Sequence, residues 1–105
     1  EFRDPTWLCD EVYELLEAHD VALCIHDMIH GSLKEHPQVV TSDWVYLRFH
    51  GADTWGKYPY QALVAHARKV EAFMADGLDV FAYFNNDAEG YAVENAKDLR
   101  RYVRG

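Results

Sequence analysis

Apolar and polar positions along the chain fall into a few clear periods. Residues 9–18 carry Val12, Leu15 and Leu16 on one side of a 3.6-residue repeat and Glu11, Glu14 and Glu17 on another, so a helix is expected there. Asp4, Pro5 and Thr6 ahead of it supply start signals. Residues 21–25 are a short apolar run without alternation, which suits a strand covered on both faces, as in parallel sheets. Residues 28–43 read mostly as loop, with Gly31 and Pro37 among scattered polar positions. The stretch 44–49 is a strand by its β-branched and aromatic content, with Val45, Leu47 and Phe49 on one face and Tyr46, Arg48 and then His50 on the other.

Beyond a loop at 50–57, Pro59 opens a helix expected to run to about Asp76 and to close at Gly77, with Leu63, Ala67, Val70 and Met74 as its buried stripe. Residues 80–84 form another apolar strand that ends in Asn85, Asn86 and Asp87. The last helix follows, with Ala92, Asn95, Ala96, Leu99 and Val103 at helical spacing and Asn86 or Asp87 as its expected cap. Glu1, Phe2 and Arg3 read as strand-like, which makes four strands in all.

Strand and helix alternate throughout, so the strands should be parallel and joined by crossover helices. A closed barrel of eight such units takes ~250 residues. The expectation is therefore an α/β chain in which residues 1–105 are a single partial domain, the C-terminal half of a parallel (β/α)8 TIM-like barrel of about four βα units. The first residue is Glu rather than Met, and a start upstream is expected. Half a barrel leaves sheet edges and interior uncovered, so self-association of the fragment is expected too.

Composition narrows the partners. At 50% hydrophobic and 14% aromatic the chain has enough apolar surface to offset the entropy of ordering, which excludes a disordered segment. The 18 acidic against 10 basic residues give a net charge of −8, which disfavours extended nucleic-acid binding and anionic membrane surfaces. Lys97, Arg100, Arg101 and Arg104 crowd the end of the last helix, where cations complement its dipole. Two cysteines without paired spacing, Cys9 and Cys24, and no apolar stretch long enough to span a bilayer point to a cytoplasmic protein with no membrane association. Both thiols are expected to be inert.

Several local signatures, taken in order, resemble the YecE-like family (domain of unknown function 72). They are Glu1-Phe2-Arg3-Asp4-Pro5-Thr6-Trp7, Asp27 after an apolar strand, Tyr46-Leu47-Arg48-Phe49-His50-Gly51, Tyr83-Phe84-Asn85-Asn86, and Ala92 with Asn95-Ala96. The resemblance covers essentially the whole chain. It implies the last four βα units of a barrel and brings no settled activity. One position departs from it: Asp4 stands where the family usually has His.

Functional groups of such barrels gather at the C-terminal strand ends. Those ends hold Glu1, Arg3, His26, Asp27, Arg48, His50, Asn85 and Asn86, more chemistry than a packed core requires. His50 and Asp27 are the candidate acid or base. Arg48 is either an anion holder or a structural partner of Glu1. Glu1, Arg3, Tyr83, Asn85 and Asn86 complete the candidate ligand set, Asn85 facing the ligand and Asn86 the cap. Trp55 and Tyr58, flanking Gly56, would either lie over a sugar or base or pack as loop residues. Asn95 is expected to satisfy backbone groups.

His26 and His30 stand four apart, but the segment leaves a strand and runs into Gly31, so a helical zinc motif is not expected. A looser divalent site from Asp27, His50 and Glu1 would suit magnesium or manganese. No metal or cofactor is assigned. Two functions compete: hydrolysis of a small phosphorylated or hydroxylated substrate, and non-catalytic binding of a nucleotide, a sugar or a nucleic-acid end. A third possibility is an inactive fragment.

Overall fold

The computed structural model describes residues 1–27, 38–51 and 56–105. Three strands, β1 (Cys24–His26), β2 (Trp44–Phe49) and β3 (Asp79–Phe84), form a parallel sheet in that order. Three α-helices accompany them: α1 (Asp10–Ala18) before β1, α2 (Tyr60–Ala75) between β2 and β3, and α3 (Tyr91–Tyr102) after β3. Single 3-10 turns at Pro5–Trp7 and Ala88–Gly90 precede α1 and α3.

The alternation in β2 decides which way the sheet faces. Val45, Leu47 and Phe49 are buried against Leu63, Ala67 and Val70 of α2 and Leu99 of α3. Each such aliphatic side chain taken out of water contributes about 1.5–3 kcal/mol. Val80, Ala82 and Phe84 of β3 and Ile25 of β1 join the same layer. The opposite face, carrying Cys24, His26, Trp44, Tyr46, Arg48, Phe81 and Tyr83, has no helix on it among the described residues. There Tyr46 stacks on Tyr83 with ring centroids 5.1 Å apart, and Tyr83 remains 51% exposed.

Several expectations need correction. Among the described residues the sheet has three strands rather than four, because residues 1–3 form no ladder and reach β1 through a hydrogen bond between the His26 ring and the Phe2 carbonyl. β1 also starts at Cys24 rather than at Val21. The Thr41 hydroxyl accepts from Leu23 N at 2.9 Å and donates to Val21 O at 2.6 Å, standing in for ladder bonds there. Met74 is exposed rather than part of the buried stripe of α2.

α2 ends as its sequence requires. Gly77 adopts a positive φ of 81°, Leu78 N donates to Phe73 O, and Gly77 N donates to Met74 O, the two bonds of a Schellman motif. α3 begins differently from the expectation. Neither Asn86 nor Asp87 caps it with a side chain, and Gly90, at φ 76°, is the residue before its first turn.

Apolar surface is left over on two sides. α1 buries no residue and leaves Leu15 60% exposed, while Trp7, Val21, Phe81 and Tyr83 are also open to solvent. The 105-residue chain by itself should therefore self-associate, because surface of this extent is stabilised by contact with another apolar surface. Sedimentation should find dimers or larger species; a strictly monomeric chain with a sharp cooperative melt would contradict this.

Candidate functional site

Where β1 and β2 end, the backbone is held by one carboxylate. Asp27 Oδ1 accepts from His50 N at 2.7 Å, and Asp27 Oδ2 accepts from the Tyr58 hydroxyl. The same hydroxyl accepts from Gly51 N at 2.7 Å. Gly51 has a φ of 79°, and a Cβ there would sit 3.0 Å from Asn86 Cβ and 3.2 Å from Gly56 Cα, so the turn after His50 accepts only glycine without strain.

Tyr58 is in turn anchored from α3. Asn95 Oδ1 accepts from Tyr58 N at 3.1 Å and from Asn86 Nδ2 at 2.9 Å, and Asn95 Nδ2 donates to Tyr58 O at 3.4 Å. Asn86 Nδ2 also donates to Gly56 O. Asn95 is wholly buried and satisfies backbone groups of the preceding loop, as its place on the apolar stripe of α3 suggests. Asn86, expected as a cap or ligand contact, is buried in this network. Tyr58 is buried between Phe49 and Phe84 rather than lying open over a ligand at the strand ends. Trp55, and His30 with it, lie outside the described residues.

On this frame the functional groups gather around Glu1. Its Oε1 lies 3.2 Å from His50 Nε2 and 3.5 Å from Arg48 Nη1, and its Oε2 accepts from Arg3 Nε at 2.9 Å. His50 Nδ1 lies 3.2 Å from Asn85 Nδ2. An amide nitrogen donates, so Nδ1 holds the lone pair and Nε2 carries the proton toward Glu1. The His50 side chain is only 2% exposed. Arg48 makes the ion pair with Glu1 that was one of its two expected roles, and its 36% exposure leaves the guanidinium open to the uncovered face.

Burial opposes ionisation of Glu1, but the hydrogen bonds from Arg3 and His50, with the nearby rings of His26 and His50, outweigh it and bring the carboxyl from 4.5 down to about 2. Burial first, and the Glu1 charge second, push the Cys24 thiol up to about 11, so it stays protonated where its Sγ faces Glu1 Oε1 at 3.7 Å.

Cys24 escaped the candidate set, and His26 was read at a strand end but given no role. Cys24 and His26 alternate along β1 onto the uncovered face, and one nitrogen of His26, one of His50 and one oxygen of Glu1 lie within 4.8 Å of one another. The period-2 placement of Cys24, His26 and Arg48 in neighbouring strands was the available signal. Asp27, expected in a divalent site with Glu1 and His50, lies outside this group and has both oxygens occupied.

The family profile described as "Protein of unknown function DUF72" matches residues 1–105. The chain belongs to the DUF72 family. Two solved DUF72 structures share its fold. One, from Enterococcus faecalis, has a TM-score of 0.77 at 21% identity over 97% of this chain and 45% of that one. The other, from Thermotoga maritima, has a TM-score of 0.66 at 21% identity over 96% of this chain and 44% of that one. This DUF72 chain thus spans less than half the length of either structure. No curated protein matches it. Among the described residues no helix is long and apolar enough to cross a membrane.

Two outcomes follow for this DUF72 site. Asn95→Ala should lower stability by about 1–3 kcal/mol, read as a fall in melting temperature, because it strips the buried Tyr58 N and Asn86 Nδ2 of an acceptor. Glu1 should titrate near 2 by carbon NMR. Its pKa is depressed on folding, so its stabilising contribution is present above about 4.5 and is lost as pH falls through about 2. An ordinary carboxyl titration at Glu1 would contradict the assignment.

Proposed function

We propose that this chain forms half of a parallel (β/α)8 barrel whose strand-end rim binds a small phosphorylated or hydroxylated ligand and hydrolyses it. The barrel reading is supported by three parallel strands that, among the described residues, have helices on one face, and by solved relatives of more than twice the length. The observation that carries the functional reading is the line Arg48, Glu1, His50, Asn85, in which a cation, a carboxylate, an imidazole and an amide meet at neighbouring strand ends.

In this reading Arg48 holds the anionic group. Ionised Glu1 orients the His50 ring through Nε2 and stabilises its protonated form; once the Asn85 amide turns from Nδ1 to the substrate, Nδ1 takes a proton from the attacking water and returns it to the leaving group. Asn85 orients the substrate, while Asp27 acts by fixing the backbone of His50. The unpaired thiols of Cys9 and Cys24 support a reducing, cytoplasmic setting.

A second reading, binding without chemistry, is favoured by the stacked Tyr46 and Tyr83 rings, which offer an aromatic surface to a sugar or base beside the same rim. Turnover of a phosphoester and glycoside panel by the full protein separates the two readings. Phosphate should bind the full protein, and Arg48→Lys should weaken it nearly as much as Arg48→Ala, by roughly tenfold, because lysine keeps the charge and loses the planar fork. If Arg48→Ala instead lowers the melting temperature and leaves phosphate binding unchanged, Arg48 is only the structural partner of Glu1.

A further inference from the structure

We infer that Glu1, His26 and His50 form a binding site for a divalent transition-metal ion of the zinc class at the ends of β1 and β2. One donor atom from each lies within 4.8 Å of the other two. Donors around a zinc ion at about 2.0–2.2 Å are separated by roughly 3.3 Å in tetrahedral geometry, so small side-chain rotations are enough to close the set. Two imidazoles with one carboxylate suit zinc, cobalt or iron. Magnesium and calcium prefer oxygen donors, and the two imidazoles here set this inference apart from the magnesium or manganese site expected from Asp27, His50 and Glu1.

The second observation is the state of His26. Its Nε2 lies 2.7 Å from Phe2 O, and a carbonyl only accepts, so Nε2 carries the proton and Nδ1 presents a lone pair. That Nδ1 is buried and has no hydrogen-bond partner among the described residues. A lone pair taken out of water without a donor is costly, and a cation is a partner that satisfies it. A backbone carbonyl holding the far nitrogen is also how metal-bound histidines are oriented.

The other two donors are held from behind in the same way. Arg3 fixes Glu1 Oε2 and leaves Oε1 to face His50 Nε2. Behind His50, Asn85 lies against Nδ1, and by turning its amide it would offer Oδ1 to an Nδ1 proton once Nε2 binds a metal. Asp27 clamps the His50 backbone.

Three protein donors leave room in the metal's shell for water or a ligand oxygen. The inference goes beyond the hydrolase reading and stands without it. If both hold, Glu1, His26 and His50 would hold the metal, which would lower the pKa of a water at its open position, and Arg48 would still hold the anionic group.

The test uses the full protein, stripped with a chelator and titrated with zinc alone by calorimetry and with cobalt alone by absorption, with no phosphoester present. The expected result is one ion per chain, visible ligand-field bands from cobalt, and a loss of zinc affinity of at least about tenfold in both His26→Gln and Glu1→Gln. His19→Gln, at an exposed histidine outside the cluster, should bind as the parent does. Zinc uptake that is absent, or that is unchanged in His26→Gln, overturns the site. Should the variants fail to fold, the parent's cobalt spectrum decides, because absent ligand-field bands overturn it equally. Phosphate binding by the Arg48 variants is a separate readout, so a failed metal site and a failed anion site are distinguishable.

Discussion

The geometry of the strand ends depends on the carboxylate of Asp27. It takes the backbone amide of His50 on one oxygen and the Tyr58 hydroxyl on the other, and so ties the end of β1 to the end of β2 and to the loop that leads into α2. Asn95 carries the constraint on from Tyr58 to α3 and, through Asn86, to the end of β3. Three strand ends and the last helix are thereby joined by buried and part-buried polar bonds, most of whose partners lie far apart in sequence. Hydrogen bonds in a low-dielectric interior are strong when satisfied and costly when broken, so this network fixes a geometry that apolar packing would leave freer.

With the backbone fixed, Glu1 becomes the electrostatic centre. One carboxylate faces Arg3, Arg48 and His50 and stays ionised well below the ordinary carboxylate range. The arrangement is preorganised in the sense that matters for ligand or metal binding: charges and lone pairs are already aimed, so little reorganisation is needed when a partner arrives. It is also lopsided, because among the described residues no helix packs on the face on which these groups stand. Parallel sheets occur with both faces covered, and the helices here cover one. The aromatic pairs Tyr46 with Tyr83 and Trp44 with Phe81 line the open side, where the proposed barrel would supply the missing walls.

The sequence by itself determined three helices and the three strands that form, with the faces of β2. Period-3.6 stripes located all three helices, the Gly77 stop was legible as a glycine after the last apolar position, and the alternation in residues 44–50 separated the helix-facing side from the functional side. These are local properties, set by backbone geometry and by which side chains prefer water. Arg48, His50 and Asn85 were legible because strand ends are where the alternation stops, whereas Glu1 was grouped with them through a strand at residues 1–3 that does not form. What only the tertiary structure decided is who bonds to whom. Asn86 and Tyr58 carry the same polar groups whether they face a ligand or the interior, and the distant Asn95 and Asp27 turned both inward. Thr41 shortened β1 through a hydroxyl 18 residues away from Leu23. His26 met Glu1 and His50 only because the strands lie side by side in register. Such pairings depend on long-range placement, which no local period encodes.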